Sequence, residues 1–245
     1  MKYIEHVHEP RRLLLVWQGP EGSTRSRHAV AELVRSADER VQFRYLTGTA
    51  ELAAAQSEGF INFPAFRKLD QTYDLGVVET FMRRLPPRTR GDYGQYLEQF
   101  RLRPETRISE FALLAYTGAK LPSDGFSIVN PLEDVSDICD VLLEVAGFRH
   151  VAELSPSEIH EGDTAVFLPE AGNIHDPNAV AIQARGRKIG FVPRQQTLAL
   201  RQWLKSGALE ILVERVNGRP ERPLIYLFVR ARMSNSLTSP ARYVG

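Results

Sequence analysis

"NIHDPNAVAIQARGRKIGFVPR", Asn173 to Arg194, sets two short apolar runs on either side of a polar knot with a glycine at its centre. The runs, "NAVAIQA" and "KIGFV", have strand length and β-branched or aromatic content. The link "ARGRK" (Ala184 to Lys188) has the central Gly that a tight hairpin needs. Ahead of the first run, Asn173, His175, Asp176, Pro177 and Asn178 crowd together. Short polar side chains bond their own backbone and proline presets φ, so a turn accounts for such a cluster, with Asn178 as a turn residue. A ligand site would use the same groups, and the neighbouring sequence has to decide between the two.

Outward from this hairpin the grammar repeats. "VAGFRHV" (145–151), "TAVFLPE" (164–170), "LEILVERV" (209–216) and "LIYLFVRARM" (224–233) are further strand-length segments. "RQQTLALRQWLKSG" (194–207) alone reads as a helix, with Leu198, Leu200, Trp203 and Leu204 as core contacts and Gly207 as its stop. Short strands with one helix predict a small β-barrel over residues 145–245, because a sheet that closes on itself hides its edges.

Residues 1–144 predict an α+β unit. "LLLVWQG", "HAVAELVR" and "VQFRYL" read as an antiparallel meander. "TAELAAAQSEG" follows as a helix ending at Gly59, and Val77, Val78, Phe81, Met82 and Leu85 recur at helical spacing until two prolines intervene. Asp92 and Ser109 are placed as N-caps of two more helices, the second stopping at Gly118 before the turn and strand of "DGFSIVNP". The acidic "LEDVSDICDVLLE" marks the expected boundary, after Glu144.

The chain has 245 residues, 43% apolar and 25% charged, the balance of a folded globular protein rather than a disordered one. One cysteine, Cys139, excludes an internal disulfide, and its apolar setting makes it core filler. The opening "MKYIEHVHEPRR" is charged where a secretory segment is apolar, and no run reaches membrane-spanning length, so a cytoplasmic location is expected. Net charge is +1, but residues 1–144 carry −3 and residues 145–245 carry +4. Only the second part is biased toward an anionic partner.

No phosphate-binding loop, dinucleotide turn, nucleophile elbow or paired zinc cysteines occur, and the protein is expected to be non-enzymatic, without cofactor or metal. The groups "IHEGD" (His160, Glu161, Asp163) and "IHDPN" offer metal-type ligands, yet adjacent side chains on a strand point to opposite faces, so His175 and Asp176 would need a bent backbone to share an ion. Nucleic-acid chemistry suits the residues better. Arg149 and Arg194 supply donors for phosphate, Asp176 an acceptor for a sugar hydroxyl, and Phe148, His150 and Phe191 flat faces for a base, while Arg187 and Lys188 on the hairpin are placed to guide a strand.

The order "GFRH", "DPNAV", "IGFVPR" resembles the HIRAN domain, a small barrel found in some DNA-remodelling helicases and alone in many bacterial proteins. The resemblance covers roughly Val145 to Met233. It implies binding of single-stranded DNA at a free 3′ end. By motif position Arg149 and Arg194 would hold phosphates, Asp176 would accept from the 3′ hydroxyl, and His175 would be the aromatic beside it. His150 and Val151 stand where the end-binding members have tyrosines.

Residues 1–144 resemble the amino-terminal subdomain of HipA-type kinases of toxin–antitoxin modules, through Phe81, Leu85, Pro86 and Arg90. The kinase body is replaced by the barrel, so no catalytic residue carries over. Arg83, Arg84, Arg88 and Arg90 read as a solvated helix end. This second resemblance implies a different role, docking on a kinase or repressor protein at a toxin–antitoxin or defence locus.

Overall fold

The computed structural model describes residues 2–20, 26–121, 123–174, 176–219 and 222–233. The expected meander forms the first sheet from β1 (Arg12–Gln18), β2 (Arg27–Arg35) and β3 (Val41–Tyr45), and β4 (Phe126–Val129) joins beside β1, giving the antiparallel order β3-β2-β1-β4. Between β3 and β4 lie α1 (Ala50–Ser57), α2 (Val77–Met82), α3 (Tyr93–Glu98) and α4 (Glu110–Thr117).

Local chemistry sets the helix ends. The Ser109 hydroxyl accepts from the Ala112 N–H at 3.0 Å, and Gly118, at φ 70°, ends α4 in the left-handed conformation. Asp92 precedes α3 as expected but makes no cap bond, because its carboxylate pairs with Arg90 instead. The segment "FINFPAF" supplies Phe63 and Phe66, which stack on Phe81 and Phe43 with centroids 5.0 and 4.5 Å apart. Arg84 is no solvated helix end. It donates to both Asp124 oxygens at 2.8 Å, to the Ala119 carbonyl at 2.8 Å, and lies over the Phe63 ring.

The second half contains β5 (Ile138–Glu144), α5 (Phe148–Val151), β6 (Ala165–Pro169), β7 (Val180–Ala184), β8 (Arg187–Phe191), α6 (Thr197–Ser206), β9 (Gly207–Arg219) and β10 (Arg222–Met233). Two antiparallel sheets form, β5-β10-β9 and β6-β7-β8. Single bridges stitch both edges, Thr164 to Leu212 and Ala146 to Phe191, so the six strands run as a small ring around one core. The expected division after Glu144 falls at the end of β5, a strand of this ring. "ARGRK" makes the hairpin, with Arg185 at φ 54° and Gly186 at φ 75°, the two positive angles a two-residue primed turn demands.

The closing bridge explains a glycine. At Gly190, φ is 149°, and a Cβ there would lie 2.4 Å from Val145 Cγ1 and 2.5 Å from the Ala146 carbonyl oxygen. Only a residue without a side chain lets β8 cross the strand this closely.

The two cores meet on the outer face of β5 and β10. Cys139, Val141 and Leu143 point into the ring, whereas Asp140, Leu142 and Glu144 point toward the first sheet's unit. Along β10, Leu227 and Val229 line the ring and Phe228 belongs to the other core. Burial on both faces is why "LIYLFV" reads as a continuous apolar run instead of alternating.

Two buried ion pairs fasten this junction. Asp140 receives Arg230 at 2.7 and 2.9 Å and the N–H groups of Glu5 and His6 at 2.9 and 3.0 Å. Burial opposes its charge, but these donors hold the carboxyl below its ordinary range. Glu214, the extra residue of a bulge in β9 opposite Tyr226 and Leu227, turns out of the ladder to meet Arg101 at 2.5 Å. No helix among the described residues is long and apolar enough to cross a membrane.

Candidate nucleic-acid interface

After Ala146 the chain leaves the ring through Gly147 at φ 73°, and "FRHV" forms the single-turn helix α5 where an extended segment was expected. The left-handed glycine turns the backbone out of the strand. The turn anchors the Phe148 ring in the core, 6% exposed, and presents Arg149 and His150 outward.

Arg149 and His150 line a cleft of 660 Å³. The segment after β8 (Pro193, Arg194, Gln195) also lines it, as do the end of β5 with Glu144, the start of β10 with Arg222, and residues of the first sheet, Gln18 and Arg27. A second hollow of 530 Å³, toward Leu154 and Pro156, shares Phe148, Arg149, His150 and Pro223 with the first. The Arg149–His150 turn is therefore a ridge with a depression on each side.

Among the described residues, four arginines, Arg27, Arg149, Arg194 and Arg222, and one carboxylate, Glu144, line the larger cleft. Glu144 accepts from Arg27 and from Lys120, each at 2.9 Å. Burial pushes its carboxyl up, but the charges of Lys120 and Arg27 outweigh that and hold it at about 2. Two cations share one anion here, so the surroundings keep a positive excess.

Arg194 Nη1 lies 3.4 Å from Glu51 of α1, and its Nε lies 3.9 Å from Asp176 Oδ2. Asp176 serves the turn and the site together. Its Oδ1 accepts from the Asn178 N–H at 2.9 Å and its carbonyl from Ala179 at 2.9 Å, with Pro177 between, while Oδ2 faces the arginine. Arg149 and Arg194, 45 positions apart in the sequence, thus share one cleft, with Asp176 beside the second.

The other expected residues lie elsewhere. Phe191 is half-buried at the closing bridge with Lys188 Nζ 4.1 Å from its ring centre, and it does not line the cleft. Lys188 pairs with Glu170 at 2.5 Å and Arg187 with Glu158 at 2.8 Å, so both hairpin cations are matched. Of the three flat faces expected at the site, His150 is the one exposed at the cleft. His175 lies outside the described residues.

Among the described residues, His160, Asp163 and Asp176 do not gather as a metal-ligand set. The group that does is Glu5, His6 and Asp140, and its central carboxylate is already engaged by Arg230 and two backbone N–H groups.

Arg27, Arg222 and Glu144 were not foreseen as cleft residues. Arg27 opens a strand more than a hundred positions before Arg149, and no local pattern signals that the two converge.

A six-stranded ring with two short helices and a cation-lined cleft at its rim defines a small β module. Residues 138–237 match the HIRAN domain family. Two solved structures are similar: the HIRAN domain of human HLTF (16% identity, TM-score 0.33, covering 39% of this chain and 77% of that one), and a protein from Lactobacillus plantarum (19% identity, TM-score 0.31, covering 40% and 99%). None of the curated proteins matches the chain.

Proposed function

We propose that the protein is a non-enzymatic DNA-binding protein whose HIRAN domain holds single strands or 3′ ends in the arginine-lined cleft. One observation carries the reading: Arg149 and Arg194 line the same hollow, and Arg194 stands 3.9 Å from an Asp176 oxygen on the side away from its turn contact. Guanidinium forks match phosphate oxygens, and a carboxylate beside them suits a sugar hydroxyl. The His150 ring offers one stacking face, and a base stacked on an aromatic contributes about 1–3 kcal/mol. Phe148 and Phe191 are occupied in packing, so electrostatics outweighs stacking and binding should depend steeply on salt.

The test uses labelled single strands with a free 3′ hydroxyl or a 3′ phosphate. If two or three phosphates are held, log affinity falls against log salt with a slope of about −1.4 to −2.1. A 3′ phosphate would meet the Asp176 carboxylate, so blocked ends should bind more weakly. Equal affinity for both ends removes end recognition, and an unchanged affinity in both Arg149→Ala and Arg194→Ala removes the cleft.

A further inference from the structure

Resting on that reading, we infer that the phosphate-binding cleft is composite: Arg27, at the start of β2 in the first sheet, contacts a nucleic-acid phosphate beside Arg149 and Arg194. Both parts of the chain are then needed for the full site.

Arg27 lines the same hollow as the two domain arginines, and its side chain is 39% exposed. One of its nitrogens is given to Glu144 at 2.9 Å, and a guanidinium has five donors to distribute. The acid orients the fork without neutralising the neighbourhood, because Lys120 takes the same carboxylate. Position is coupled as well as charge. The Gln195 side-chain amide donates to the Arg27 carbonyl at 3.0 Å, so the start of β2 is tied to the residue that follows Arg194. On the other side Glu51 of α1 meets Arg194 at 3.4 Å while accepting from the Ala29 N–H at 3.2 Å. The first unit thus reaches the cleft through two linked residues, Arg27 and Glu51, rather than one chance contact. Arg222, at the start of β10, adds a cation on the strand next to β5, with no acid partner among the described residues.

A purely structural Arg27 would staple the two parts through Glu144 and leave DNA binding alone. The experiment separates the alternatives in the full chain by measuring the salt dependence of single-strand binding for wild type, Arg27→Gln and Arg27→Lys. Removing one phosphate contact should make the slope shallower by about 0.7 and weaken binding about fivefold at 0.1 M salt. Arg27→Lys, which keeps the charge, should keep the slope. A wild-type slope and affinity in Arg27→Gln overturns the inference. If Arg149→Ala and Arg194→Ala still weaken binding in that case, the reading of the cleft survives it; if they do not, both fall. Arginine modification of the wild-type chain by phenylglyoxal gives an arm that needs no variant. A saturating oligonucleotide should protect Arg27 but not Arg40, which lies 82% exposed beyond the far end of β2. An Arg27 that stays reactive would likewise overturn the inference.

Discussion

Replacing Glu144 by Gln should cost stability in a pH-dependent way. Folding lowers the carboxyl from its ordinary 4.5 to about 2, because Lys120 and Arg27 outweigh the burial that alone would raise it. A group whose value is depressed in the folded state binds fewer protons there than in the unfolded chain, so its contribution is complete above about pH 5 and disappears as pH falls through 2. At about 1.4 kcal/mol per pH unit the contribution is on the order of 3 kcal/mol. The carboxylate is 16% exposed, whereas Lys120 and Arg27 are 49% and 39% exposed, so added salt should reduce the figure. Urea unfolding of wild type and Glu144→Gln at pH 7 and pH 2.5, followed by tryptophan fluorescence, measures it. Trp17 lies in one core and Trp203 in the other, so both units are observed. The two proteins should differ by up to about 3 kcal/mol at pH 7 and by less than about 1 kcal/mol at pH 2.5. A gap of equal size at both values, or none at pH 7, would refute the electrostatic account of the junction.

Gly190→Ala should destabilise by roughly 2–5 kcal/mol, since the added methyl meets backbone 2.5 Å away at a φ few side chains adopt; a melting temperature within a degree of wild type would contradict the tight crossing. The Cys139 thiol is fully buried, and burial with the nearby Asp140 charge pushes it up to about 12. Thiol reagents at pH 8 should therefore modify it at the rate of unfolding, and rapid labelling of the native chain would show it reachable.

Much of the fold is legible in the sequence because its signals are local. Strand runs, the "ARGRK" turn, the Ser109 cap and the Gly118 stop each depend on neighbours within a few positions. What resisted reading depends on distant partners. Arg84 sits in a run of arginines suited to a solvated helix end, and only the return of Asp124 forty positions later makes it an almost buried structural fork. Gly147, at φ 73°, turns "FRHV" from an extended segment into a helix beside β8, with the Phe191 ring 3.7 Å from where a Cβ would be. For the site, the motif supplied Arg149 and Arg194, which line one cleft, and Asp176, which stands beside Arg194. Residue type alone also suggested Arg187, Lys188 and Phe191, which acids from other segments and a ring contact consume. Sequence position shows that a cation is present but not whether an acid folds back onto it.

The alternation of β5 connects fold and function. Its inward residues build the ring, and its outward residues are Asp140 at the buried clamp, Leu142 against the first core and Glu144 at the cleft. One strand therefore carries the barrel wall, the fastening between the two units and the acid that orients Arg27. A two-residue period means that any shift of β5 relative to β10 by one position would exchange the two sets, placing Asp140 and Glu144 in an apolar interior and Cys139, Val141 and Leu143 outside. The register is fixed by that penalty, and with it the distance from the first sheet to the ridge at Arg149. Cleft geometry is in this way a consequence of core packing, which is why a mild net charge of +1 for the whole chain is compatible with four arginines gathered at one hollow.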